Sequence, residues 1–115
     1  MYVIKFTQAG LTDVKRVPKN IKNRLKKVLV KTLAADPLSC STELSPPLGG
    51  FRSFHWRQYR IVFRVFEDLN SVVIVAVGER SPQSAANIYR KLEMLASAGK
   101  LAESVLNTLR RFLKT

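Results

Sequence analysis

Arg52, Arg57, Arg60 and Arg64 fall within thirteen residues of one another, with Ser53 and His55 set among them. A guanidinium stays charged and offers a planar fork of donors that fits phosphate oxygens. An imidazole, with an ordinary pKa of about 6.5, can accept a proton near neutrality. Together these groups suit one task, holding a phosphodiester while a proton is moved beside it. A second basic run, Lys19, Lys22, Arg24, Lys26, Lys27 and Lys31, contains no acid. Over 115 residues, twenty Lys and Arg against eight Asp and Glu leave a formal charge of +12. Such an imbalance points to a polyanionic partner. Charge that merely keeps a protein soluble is the plainer alternative, and the gathering of the cations into two clusters favours the phosphate surface.

The elements that carry these residues can be read from periodicity. Residues Phe51 to Trp56, Tyr59 to Glu67 and Ser71 to Gly78 are rich in aromatic and β-branched types and are separated by short polar connections, which predicts a three-stranded antiparallel meander. Along the middle strand Ile61, Phe63 and Val65 face one way and Arg60, Val62 and Arg64 the other. The first set is expected to be core and the second an open, charged face. Phe54 and Trp56 share the core side, which places Ser53, His55 and Arg57 beside Arg60. Upstream, Met1 to Phe6 alternates as a strand. Leu11, Val14 and Val17 recur at helical spacing, and Ile21, Leu25, Val28, Leu29 and Leu33 form one stripe of a helix over Lys19 to Ala35 with its lysines turned outward. Asp36-Pro37 ends that helix, and Leu38 to Gly50 lacks periodicity and is expected to be a loop. Helical patterns return over Ala85 to Ala96 and, after Gly99, along Leu101, Val105, Leu109 and Phe112. The order predicts an α+β domain in which an N-terminal strand completes the small sheet, a helical hairpin packs on one face, and helices close the chain.

Composition narrows the function classes. The length and 46% apolar content fit one compact domain. No apolar run approaches the roughly 18 residues of a membrane span, and the N-terminus lacks the features of a secretion signal, so a cytoplasmic protein with no membrane partner is expected. Cys40 is the sole cysteine and His55 the sole histidine, so neither an internal disulfide nor a zinc site is expected, and no cofactor is implied.

The run Leu48-Gly-Gly-Phe-Arg-Ser-Phe-His-Trp-Arg-Gln-Tyr-Arg-Ile-Val-Phe63, then Val75-Ala-Val-Gly-Glu-Arg80, then Ile88-Tyr-Arg90, resembles the pattern of RelE/ParE toxins of bacterial type II toxin-antitoxin systems. That pattern is a Leu-x-Gly opening, a basic strand, a Tyr-Arg-hydrophobic strand, a Gly-x-Arg strand end and a downstream Tyr. The resemblance implies a RelE/ParE-like toxin domain over residues 1–96, with residues 97–115 as a C-terminal helical extension of it. It further implies a ribosome-dependent endoribonuclease that cuts messenger RNA without metal, through attack of the RNA's own 2′-hydroxyl, and that is restrained by a cognate antitoxin. On this resemblance Arg60 corresponds to the family's strand arginine, Arg80 to its Gly-x-Arg arginine and Tyr89 to its downstream tyrosine, so that Arg60, Arg80, His55 and Tyr89 form the expected catalytic set. RNA binding is expected of Arg52, Ser53, Arg57, Arg64, Lys22 and Lys26.

The chain also departs from the pattern. RNA-cleaving members carry a pair of lysines on the strand that here reads Phe51 to Trp56, and their place is taken by Arg52, Ser53 and His55. The lysine chemistry does not carry over, and His55 is the candidate base. Two other readings stay open: a noncatalytic ParE-like toxin that poisons DNA gyrase, and a nontoxic basic RNA-binding module.

Overall fold

A computed structural model of the chain describes residues 1–79 and 82–113 and, of their side chains, all but those of residues 82–87 and 112–113. The elements run β1 (Val3–Phe6), α1 (Gln8–Lys15), α2 (Lys19–Val28), β2 (Thr42–Glu43), β3 (Arg52–Trp56), β4 (Tyr59–Phe66), β5 (Ser71–Glu79), α3 (Pro82–Ser97) and α4 (Lys100–Leu113). One wide π-helical turn, Leu29–Leu33, continues α2. The strands form one mixed sheet in the order β1-β5-β4-β3-β2, with β1 parallel to β5 and the other neighbours antiparallel. The α+β reading therefore holds. The stretch expected to be a loop differs in one respect: Thr42 and Glu43 pair with Ser53 and Arg52 and add a short edge strand.

Cross-strand register decides which side chains meet. Between β3 and β4, His55 lies opposite Arg60 and Ser53 opposite Val62. The connection is the two-residue turn Arg57-Gln58, in which Arg57 has a φ of 56°. Between β4 and β5 the pairing steps from Val62↔Ala76 to Phe63↔Ile74, so that Val75 is an extra residue in β5. A bulge of this kind reverses the facing of everything beyond it. Val72 and Ile74 belong to one core and Val73, Val75 and Ala76 to the other, after which Val77 returns to the first.

The sheet thus carries two cores. On one face α1, α2 and the wide turn bring Val14, Val17, Leu25, Leu29 and Leu33 against Phe54, Ile61, Phe63 and Ile74. On the other, Leu92 of α3 and Leu101, Val105 and Leu109 of α4 cover Val62, Val73 and Val75. The expectation of one core face and one open charged face is corrected here. Val62, between Arg60 and Arg64, is only 1% exposed because the C-terminal helices need an apolar floor. Arg60 and Arg64 are half-buried to either side of it. The side chain of Phe112, the last residue of the expected stripe, lies outside the described residues.

At the N-terminal end, α1 lies close on β5. A Cβ at Gly10 would come within 2.6 Å of the Ile74 carbonyl oxygen, so a larger residue would push the helix off the strand. Thr7 caps the helix by accepting from the Gly10 N–H at 3.1 Å, and its own backbone N–H donates to Ile74 O at 3.0 Å. β1 stops at Phe6, and farther along the β5 edge the carboxylate of Asp13 takes the place of a strand neighbour, accepting the Val77 N–H at 3.0 Å. A cleft of about 460 Å³ opens there between α1 and α3. Among the described residues no helix is long and apolar enough to cross a membrane.

Burial raises the pKa of Asp13, opposed by the Val77 N–H and by Lys91 and Arg16 nearby. The native state therefore holds this proton more tightly than the unfolded chain. Asp13 contributes most to stability while protonated, and that contribution is lost as pH rises from the ordinary aspartate range through the raised native value. Asp13→Asn keeps an oxygen for the Val77 N–H and removes the titration. Urea denaturation across a pH series should show the variant gaining on the wild type as pH rises through this window and holding a constant margin above it. A margin independent of pH would contradict the assignment.

Candidate nucleic-acid interface

Three residues from three elements meet beside the middle of α3. Arg60 (β4) places Nη1 2.9 Å from His55 Nε2 (β3) and 3.5 Å from the Tyr89 hydroxyl (α3). The same hydroxyl shares a 3.1 Å hydrogen bond with Ser53 Oγ, which is buried. A guanidinium can only donate, so in this arrangement Nε2 of His55 presents its lone pair and the ring proton sits on Nδ1. Protonation at Nε2 would abolish that bond and set two cations against each other. The Nε of Arg60 is buried and has no acceptor among the described residues.

Tyr89 reaches this point because α3 lies close on the sheet. A Cβ on Gly78, which is paired with Arg60, would overlap Ile88 Cδ1 and stand 2.9 Å from Ile88 Cγ1. The bare backbone at Gly78 admits Ile88, and Ile88 delivers the neighbouring Tyr89 to Ser53 and Arg60. Sequence reasoning passed over this support. Its signal was the glycine of the Gly-x-Arg motif, whose value lies in the close packing it allows.

The remaining expected residues are dispersed. Arg52 is committed to the loop before β2: Nε donates to Ser41 Oγ at 2.7 Å and Nη2 to the carbonyls of Leu38 and Ser41 at 3.2 and 3.0 Å. Arg57, exposed at the hairpin turn, stands 5.1 Å from the centroid of the Trp56 ring. Arg64 lies between Phe51 and Phe66, at 5.7 and 5.4 Å from their centroids, beyond the covered Val62. Lys22 and Lys26 sit on α2, behind the opposite face of the sheet, and Lys22 Nζ donates to Lys15 O at 3.1 Å. Arg80 lies outside the described residues. Among those described, no three His, Cys, Asp or Glu side chains gather as a metal site would require.

The cleft at the β5 edge is distinct from this cluster. Tyr59 lines it, its hydroxyl donating to Glu79 Oε1 at 3.5 Å, and its pKa is raised by burial and by the Glu79 carboxylate. Arg60, His55, Ser53 and Tyr89 form a separate group on the other face of the sheet.

Residues 4–84, well over half of the chain, match the family described as ParE toxin of type II toxin-antitoxin system, parDE. The chain belongs to the RelE/ParE superfamily of toxins. The toxin is 28% identical over 90 residues to Toxin RelG of Mycobacterium tuberculosis, an alignment that spans 78% of this chain and 98% of the relative. It superposes on a chain of the crystal structure of the toxin-antitoxin complex RelBE2 from the same organism with a TM-score of 0.66 and 26% identity, covering 69% of the toxin and 98% of that chain. The isolated E. coli RelE toxin matches with a TM-score of 0.57 at 19% identity, over 80% and 99% of the two chains, and attests the fold alone.

Gly78→Ala should displace Ile88 and lift α3, lowering stability by about 1–3 kcal/mol in urea denaturation. An unchanged midpoint would show that α3 does not rest on this glycine.

Proposed function

We propose that this toxin is a ribosome-dependent endoribonuclease that cleaves messenger RNA without a metal, and that a cognate antitoxin restrains it. The observation that carries this reading is the half-buried Arg60, whose Nη1 bridges a proton acceptor and a phenol while its Nε lacks an acceptor among the described residues. A buried, charged donor without a partner is destabilising by about 1–3 kcal/mol or more, and a phosphate oxygen would satisfy it. The kinship with RelE-type toxins and the charge of +12 support the same substrate class. Relatives solved as toxin-antitoxin complexes support the antitoxin.

In the proposed reaction Arg60 turns from His55 to the scissile phosphate and offsets the charge that develops on it. Nε2 of His55, released from that bond, takes the proton of the 2′-hydroxyl. The 2′-oxygen then bonds to the adjacent phosphorus as the bond from phosphorus to the 5′-oxygen breaks, leaving a 2′,3′-cyclic phosphate. The Tyr89 hydroxyl, held by Ser53, gives its proton to the departing 5′-oxygen. Arg80, by its place in the family motif, is the proposed second cation on the phosphate. A second reading, poisoning of DNA gyrase, draws on the match to the ParE family description and on the missing lysine pair.

Primer extension on a defined message in a reconstituted translation reaction separates the two. Cuts at the decoding site should fall by roughly a hundredfold or more with Arg60→Ala and with His55→Ala. If the wild type leaves the message intact and instead stabilises gyrase-DNA cleavage complexes, the nuclease reading is wrong and the second stands.

A further inference from the structure

We infer that the tip of the β3–β4 hairpin is a second phosphate subsite, in which Arg57 binds the nucleotide next to the one held at Arg60 and is kept there against the preference of its own backbone. The inference rests on the reading of Arg60 as the scissile-phosphate residue and adds a site to it.

Three observations carry it. First, Arg57 is the leading residue of a two-residue hairpin turn and has a φ of 56°, in the left-handed region. Glycine, asparagine and aspartate are the residues that favour this position, because a side chain with a full-sized Cβ crowds the following carbonyl. Second, among the described residues the arginine's recorded contact with the fold is slight. Arg57 is exposed, and among the described residues its one recorded partner is the Trp56 ring, 5.1 Å from the guanidinium carbon. Trp56 is itself stacked on Tyr59, with centroids 6.3 Å apart and planes inclined by 23°, so the guanidinium rests on a two-ring support anchored in the core. That contact orients the fork and leaves its N–H edges for an anion. Third, the turn directly follows the His55–Arg60 pair. Arg57 lies three positions before Arg60, with at most about 10 Å of chain between their Cα atoms, and because its guanidinium rests on the Trp56 ring toward the α1/α2 face, an RNA strand that reaches both passes around the hairpin tip. Backbone strained in this way clusters at functional sites.

Binding is read with a single-stranded RNA carrying 2′-O-methyl groups throughout, which blocks cleavage, titrated into the toxin over a range of salt. Arg57→Gly relieves the backbone and should raise the thermal midpoint by a few degrees. The same variant should weaken RNA binding roughly tenfold and reduce the slope of log K against log salt by about 0.7, the share of one single-strand phosphate contact. Arg57→Lys, which keeps the charge, should keep most of the slope. Wild-type affinity and slope in Arg57→Gly would overturn the subsite, as would weaker binding with an unchanged slope, which would mean base stacking in place of a phosphate contact. A lowered midpoint would show that the arginine serves the fold. Arg60→Ala is measured on the same RNA: if it binds like the wild type, the underlying phosphate reading fails, and if it alone loses affinity, only the hairpin subsite does.

Discussion

Strand β5 is buried on both of its faces from Ser71 to Val77, between α1 and α2 on one side of the sheet and α3 and α4 on the other. A strand so placed cannot alternate apolar with polar residues, and the run Val72-Val-Ile-Val-Ala-Val77 does not. The extra residue at Val75 then sets the phase of the strand's last residues, so that Gly78 faces α3 and Glu79 faces Tyr59. Without that step the glycine would turn to the other face and a carboxylate would lie under the helix that carries Tyr89. Core packing and site geometry therefore rest on the same irregularity of one strand.

The cluster at Arg60 combines features that electrostatics normally keeps apart. A cation sits half-buried against an imidazole and a phenol, and no carboxylate is recorded on it among the described residues. A carboxylate there would neutralise the arginine and compete with any incoming phosphate. The local field is positive, and the excess of basic residues over the whole chain extends it outward, as steering of the proposed RNA substrate would require. Ser53 is placed to fix the phenol rather than to meet a ligand, since its hydroxyl is covered and already bonded to Tyr89.

Basic residues alike in the sequence divide by what each touches. Arg52 fastens the 37–41 loop, Arg64 lies between two phenyl rings, Lys22 ties α2 to the end of α1, and Arg60 faces His55 and Tyr89. Membership of the toxin superfamily accounts for the scaffold on which these residues stand. Their individual duties are set by contacts that composition cannot express.

The sequence by itself determined the order of the main elements, the α+β class, the helical stripe through Leu25, Leu29 and Leu33, and the placing of His55 beside Arg60 on one face. These depend on short-range periodicity and on a two-residue turn, both local properties of the chain. The edge strand at Thr42 and Glu43 escaped notice because two residues carry no period. The second core escaped because Arg60, Val62 and Arg64 alternate as an exposed strand would, and only the docking of α3 and α4 makes Val62 a floor. Tertiary structure alone brought Tyr89 to Ser53 and Arg60, residues 36 and 29 positions away. The reason is long-range and steric: a glycine on the sheet allows one helix to approach closely enough for a phenol to reach the arginine.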